Sequence, residues 1–238
     1  MFGLLAHAAL ILTLAFGFAL WRSAPLRAEG AEGGHGAARG RQNPWDADAA
    51  LAVLKAGNER YATGEHVHPK KDQSDRDLLS GGQAPLAAIL SCADSRAPTE
   101  LLFDQGLGDL FTVRAAGATP GVDQLGSLEY AVTHLGVPLI VVLSHTKCGA
   151  VGAALSGETE PGALGELLKE LDPIAQAVAS LPDERKASEA VILTAKIFSE
   201  ELVQKSPVLA QYVAANKLKI VAAVYDIDSG KVSFLEEN

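Results

Sequence analysis

The 238-residue sequence is poor in aromatic residues and has no excess of basic ones. Aromatic side chains make up only 5% of the chain, which argues against the stacking platforms that bind nucleic-acid bases. The formal net charge is −9, whereas nucleic acids and anionic membrane surfaces select basic faces. Cysteine is equally scarce, with Cys92 and Cys148 as the only two. We therefore predict an acidic protein with no nucleic-acid partner.

The hydrophobic content of 48% suffices for a sizeable core, and its distribution suggests three regions. Residues 1–28 form a candidate signal peptide or membrane anchor. Residues 29–44 are rich in Gly and Ala without apolar periodicity, so we interpret them as a flexible linker. Residues 45–238 are then predicted to form one folded domain.

The N-terminal segment has an uncharged apolar stretch over residues 2–21. A helix of about 20 such residues can span a bilayer core of about 30 Å, so a membrane anchor is one interpretation. A secretory signal cut after Ala28 is another, although no basic residue precedes the stretch. A wrongly assigned start codon is the third. We predict export to the periplasm or a similar compartment, with membrane contact only through this segment if it is uncleaved.

Apolar runs alternate with helical patterns through residues 45–238. The runs 86–92, 110–115, 138–144 and 218–226 are apolar on both faces, as parallel strands covered by helices are. Helices are predicted at 46–63, 122–136, 149–156, 162–179, 185–204 and 207–215. This alternation predicts an α/β fold with a mainly parallel central sheet flanked by helices. An N-terminal helical arm precedes the sheet, and an antiparallel edge strand follows it.

Both cysteines stand at the C-terminal ends of predicted strands, where ligands gather in such folds. Cys92 ends one run, and His145 and Cys148 follow another, three positions apart. Two thiolates and an imidazole suit Zn²⁺ and leave one of its four positions open. A Cys92–Cys148 disulfide and two unrelated core cysteines are the alternatives, but neither accounts for His145.

Two charged residues follow Cys92 at alternate positions. In extended backbone, Asp94 and Arg96 point to the same side as Cys92. Asp94 can therefore ligate the metal as a fourth ligand or, if Arg96 pairs with it, leave that position to water. Zinc lowers the pKa of bound water to about 7, and Asp94 would orient the resulting hydroxide. We call the Asp94–Arg96 pair the gate.

These motifs, "CADSR" at 92–96 and "HTKCGA" at 145–150, resemble the signature of the β-class carbonic anhydrases. The segments "VLKAGNERYATGE", "LFDQGLGDLFTVR", "SLEYAVTHLGVPLIVVLSH" and "YDIDSGKVSF" resemble that family too. The resemblance runs from about Asp46 to the C-terminus. It implies hydration of carbon dioxide to bicarbonate and a proton by a zinc-bound hydroxide, in a homodimer or dimer of dimers. It also assigns Cys92, His145 and Cys148 as ligands and the gate as a switch between open and closed sites.

Two further residues acquire a role only through this resemblance. Gln83 and Tyr130 occupy positions that contact substrate in the plant-like branch of the family.

Two departures from the family pattern stand out. Residues 114–118 are "RAAGA" where relatives have two asparagines, and Ser144 replaces a common glycine. Hydrolysis of carbonyl sulfide or carbon disulfide, and a non-catalytic zinc-stabilised binding domain, are the alternative functions.

Overall fold

A five-stranded mixed sheet forms the centre of the computed structural model, which describes residues 43–157 and 159–235. The strand order is β2-β1-β3-β4-β5, with the first four parallel and β5 antiparallel to β4. The strands are β1 (Ala87–Cys92), β2 (Leu110–Ala115), β3 (Leu139–His145), β4 (Lys219–Tyr225) and β5 (Val232–Leu235). The mainly parallel sheet and its antiparallel edge strand are confirmed.

Helices cover both faces of this sheet in the described part of the chain. They are α1 (Ala47–Thr63), α2 (Gln73–Leu79), α3 (Thr99–Leu102), α4 (Val122–Leu135), α5 (Gly149–Ser156), α6 (Gly162–Lys169), α7 (Asp172–Val178), α8 (Asp183–Lys205) and α9 (Pro207–Ala214). A short 3₁₀ turn spans Ala116–Ala118. Among these helices none is both long and apolar enough to cross a membrane. The predicted signal or anchor segment and nearly all of the linker lie outside the described residues.

The central strands β1 and β3 are buried at every position. Because successive side chains of a strand point to opposite faces, each strand contributes to two apolar cores. Leu90 and Val142 face the core that contains α4 and α8, while Ile89 and Val141 face the core that contains α1. The continuous apolar runs in the sequence thus correspond to strands covered on both sides.

Helix α1 packs against one face of its own sheet. Asp46 accepts a hydrogen bond from Ala49 N at its start, and Gly64 ends it in the left-handed conformation. Leu54 is fully buried on the inner side. A Cβ at Gly57 would lie 1.8 Å from the Phe103 carbonyl oxygen, so only glycine allows this close approach. This helix, predicted only as an arm that precedes the sheet, therefore contributes to one of the two cores.

The predicted helix 162–179 is two helices, α6 and α7. Leu171 separates them, and Pro173 lies in the first turn of α7. Proline has no N–H to donate to a preceding helical turn, so a new helix begins there. The short helices α2 and α3 were not predicted, because neither is long enough to show a periodic pattern.

Candidate metal centre

Three candidate ligands converge where two neighbouring strands end. Cys92 is the last residue of β1, His145 is the last residue of β3, and Cys148 caps the start of α5. Strands β1 and β3 pair directly in parallel, so their carboxyl ends reach the same edge of the sheet. One donor atom from each of the three side chains lies within 4.8 Å of the other two, and all three residues are buried.

The imidazole of His145 is oriented as a metal site requires, and the two thiols beside it are not joined in a disulfide. The Thr146 carbonyl can only accept, so the imidazole Nδ1–H of His145 donates to it at 2.9 Å. That leaves the lone pair on Nε2, which is buried without a hydrogen-bond partner. The sulfur atoms of Cys92 and Cys148 lie 3.9 Å apart, and both cysteines are free. An orphaned imidazole nitrogen beside two thiols fits zinc, and the disulfide interpretation does not describe this structure.

The pKa values of the two thiols are shifted in opposite directions. A hydrogen bond from the Cys148 thiol lowers the pKa of Cys92 to about 4, and two backbone N–H groups assist against the effect of burial. Those N–H groups belong to Asp94 at 3.4 Å and Gly117 at 3.3 Å from the Cys92 sulfur. The negative Cys92 sulfur, followed by burial, raises the pKa of Cys148. A metal cation that binds both sulfurs would displace the protons that they carry.

The gate residues lie beside the three ligands. The Arg96 guanidinium donates to Asp94 Oδ1 at 2.9 Å and to Oδ2 at 2.7 Å. These hydrogen bonds hold the pKa of Asp94 far below its usual value, although burial opposes them. Asp94 Oδ2 is 3.8 Å from His145 Nε2. The ionised carboxylate thus faces Arg96 and borders the site, the arrangement predicted for an open gate.

Arg114 supports the first ligand from the neighbouring strand. Its Nε–H donates to the Cys92 carbonyl at 2.9 Å, and its Nη2 donates to the Asp94 carbonyl at 2.6 Å. The sequence singled out Arg114 only as the start of the unusual "RAAGA" segment. The feature that could have indicated its role is its position on β2, because Arg114 directly precedes Ala115, which pairs with Cys92.

The two departures from the family pattern lie close to the site. Ala118 has φ +60° and is fully buried, a conformation that asparagine adopts more readily than alanine. The Ser144 hydroxyl donates to the Val191 carbonyl at 2.8 Å and so links β3 to α8. Neither change removes a candidate ligand.

Gln83 and Tyr130 lie outside this cluster. Gln83 is exposed in the loop before β1. Tyr130 on α4 is 46% exposed, and its ring stacks on His134 at 4.8 Å. No hydrogen bond in the described part of the chain joins either residue to the three ligands. Their substrate-binding roles stay predictions.

Comparison with known proteins places these residues in a family. A family model described as carbonic anhydrase matches residues 87–232. Carbonic anhydrase 2 of Mycobacterium tuberculosis (strain H37Rv) is 40% identical over 194 residues, covering 77% of this chain and 90% of its own. The carbonic anhydrase of Mycolicibacterium smegmatis is 41% identical over 192 residues, with coverages of 77% and 91%. The crystal structure of the β-carbonic anhydrase CafA of Aspergillus fumigatus matches with a TM-score of 0.63 at 28% identity, covering 79% of this chain and 90% of that one.

Proposed function

Since the chain belongs to the β-carbonic anhydrase family of enzymes, we propose that it catalyses the reversible hydration of carbon dioxide to bicarbonate and a proton, with zinc as its cofactor. The observation that carries the proposal is the buried Nε2 of His145, which has no partner and faces two thiols. Cys92, His145 and Cys148 would hold the ion. A zinc ion in such a site lowers the pKa of a bound water to about 7, which provides a nucleophile near neutral pH.

The gate residues contribute the part of the reaction that depends on protein side chains and not on the metal. Asp94 is ionised, so its carboxylate can accept a hydrogen bond from the attacking water and orient the water's lone pair toward carbon dioxide. Arg96 pairs with both oxygens of this carboxylate and holds it beside the site. Without Arg96, Asp94 would be free to take the fourth ligand position and close the site. Asp94 is therefore the catalytic residue of the pair, and Arg96 positions it.

A homodimer is the assembly that we propose. Helix α4 exposes Val122, Tyr130 and His134, which are spaced so that they share one face of the helix. Val122 is 83% exposed, and the half-buried Phe111 of β2 lies beside Tyr130. This apolar surface suits a second copy of the chain. Sedimentation velocity should show a dimer or a larger even assembly, and a monomer at micromolar concentration would contradict the proposal.

Export through residues 1–28 is likewise a proposal. A fusion of residues 1–45 to a reporter that works only outside the cytoplasm should give signal. A silent fusion, together with an active cytoplasmic reporter, would refute export without affecting the chemistry.

The proposed function is tested by measuring bound metal and turnover together. The purified protein should contain one zinc per chain and hydrate carbon dioxide in a stopped-flow assay. Removal of zinc by a chelator should abolish hydration, and added zinc should restore it. Carbonyl sulfide and carbon disulfide, assayed in parallel, should be the poorer substrates. Stoichiometric zinc without hydration, or hydration that survives zinc removal, would overturn the proposal.

A further inference from the structure

The second ligand loop, residues 145–148, rests on the turn that joins β4 to β5, residues 226–231. The Thr146 N–H donates to the Tyr225 carbonyl at 2.9 Å. The Ile227 N–H donates to the Thr146 hydroxyl oxygen at 3.0 Å. Thr146 is therefore held by its backbone and by its side chain to a segment some 80 residues further along the chain.

The same residue orients the imidazole of His145. The Thr146 carbonyl accepts the hydrogen bond from His145 Nδ1 at 2.9 Å. That bond fixes the tautomer and the ring plane, and it directs the Nε2 lone pair at the two sulfurs. Any rotation of the Thr146 backbone would move this acceptor, and the turn residues limit that rotation through the hydroxyl.

From these contacts we infer that Thr146 is a positioning residue whose hydroxyl, through Ile227, holds the carbonyl that aligns His145 for metal binding. The inference rests on the proposed zinc site. The hydroxyl would thus contribute to metal binding through the orientation of His145, without being a ligand itself. Outer groups that orient a metal-binding histidine typically contribute about 10–100-fold to metal affinity or activity.

The test compares a replacement that keeps the shape of threonine with one that keeps its hydroxyl. Thr146→Val keeps the β-branched shape but removes the acceptor for Ile227, whereas Thr146→Ser keeps the acceptor. Zinc affinity, measured by chelator competition, should fall about 10-fold in Thr146→Val and stay within about twofold of wild type in Thr146→Ser. The Co²⁺-substituted protein reports the ligand geometry directly, and its visible absorption should change only in Thr146→Val.

A matched control separates positioning from general stability. Thr194 is a buried threonine on α8 whose hydroxyl donates to the Ala190 carbonyl at 2.7 Å. Thr194→Val loses a comparable hydroxyl and should keep wild-type zinc affinity and Co²⁺ absorption. Equal losses in the two valine variants, or in Thr146→Ser and Thr146→Val, would overturn the inference, as would wild-type affinity in Thr146→Val.

A measurement on the wild-type protein covers the case in which Thr146→Val does not fold. ¹⁵N-detected NMR of the zinc-free protein should show His145 with its proton on Nδ1, and a proton on Nε2 would refute the inference. Failure of the proposed function has a different signature, because the wild-type protein would then bind no stoichiometric zinc. A zinc-binding wild type with an unaffected Thr146→Val variant would refute the positioning role alone.

Discussion

The two loops that carry the candidate ligands differ in what they leave open to solvent. The first loop, residues 92–96, supplies one ligand and the gate, and the side chains of Asp94 and Arg96 are 16% and 49% exposed. The second ligand loop supplies two ligands, and both His145 and Cys148 are buried. The second loop is therefore suited to holding an ion in one geometry, whereas the first can change its side-chain contacts without disturbing the core.

Their supports differ in the same way. The first loop is held by Arg114, an exposed side chain on the edge strand β2. The second loop is held by the backbone of β4 and by the turn that follows it. One Arg96 hydrogen bond, to the Lys147 carbonyl at 3.1 Å, links the two loops. The gate and one candidate ligand thus lie in the first loop, the other two candidate ligands lie in the second, and Arg96 joins the two loops.

Replacement of a candidate ligand should have the largest effect on zinc binding and hydration. The effect should be the same whether the ligand lies on the first loop or the second. Cys148→Ser and Cys92→Ser should each lose stoichiometric zinc and hydration together, because a hydroxyl is a poor substitute for a thiolate. The loss of affinity should exceed the 10–100-fold typical of an outer-sphere change. Metal analysis and stopped-flow hydration give the two readouts. One tightly bound zinc in either variant would contradict the ligand assignment.

Changes at the gate should separate turnover from metal binding. Asp94→Asn should retain one zinc per chain but reduce hydration about 100-fold or more, because the amide is a weak proton acceptor and carries no charge. Arg96→Ala should also keep zinc, and it should lower hydration by freeing Asp94 to approach the metal. Unchanged hydration by Arg96→Ala from about pH 6 to 9 would show that the first loop has no gate.

Loss of the outer support of the first loop should have an intermediate effect. Arg114→Met removes both hydrogen bonds to the carbonyls of Cys92 and Asp94, and hydration should fall about 10-fold. Arg76→Met offers a control, since Arg76 lies exposed on α2 and bonds only to its own neighbourhood. Equal activity in the two variants would mean that β2 does not support the first loop.

Much of the fold was predictable, because its signals are local. Apolar runs identified β1 to β4 within a residue at either end, and the helix predicted at 46–63 is α1. The convergence of Cys92, His145 and Cys148 was also predictable. Ligands at the carboxyl ends of two parallel strands must meet if those strands are neighbours, and β1 and β3 are.

The supports of the site could not be predicted, because they join a side chain to a distant backbone group. Arg114 binds the carbonyl of Cys92 at the end of β1 and that of Asp94 in the loop beyond it, and Thr146 accepts from Ile227, 81 positions away. Backbone carbonyls and N–H groups occur at every residue, so no residue type marks the partner. The packing of α1 could not be predicted either, because Gly57 also fits against a backbone carbonyl, that of Phe103.

A third region, the buried carboxylate of Asp104 and the groups that bind it, should control acid stability and leave zinc binding unchanged. Asp104 is buried, and burial alone would raise its pKa. The Arg60 side chain at 2.6 Å and the N–H groups of Val67 and His68 outweigh burial and lower the pKa. A carboxylate with a lowered folded-state pKa stabilises the protein above its unfolded pKa of about 3.9, and this contribution disappears as pH falls through the folded-state pKa.

Arg60→Met should therefore reduce the free energy of unfolding at pH 7 by about 1–2 kcal/mol, the scale of a partly exposed hydrogen bond to a charged group. The difference from wild type should shrink as pH falls from 7 through the folded-state pKa of Asp104, because the carboxyl is then protonated in both proteins and the lost attraction no longer matters. Urea titrations over that pH range measure it, with Arg185→Met, which breaks an exposed i,i+4 pair with Glu189, as the control. A difference that grows on acidification would contradict the assignment. Altered zinc affinity in Arg60→Met would show that the metal centre depends on more than its two loops.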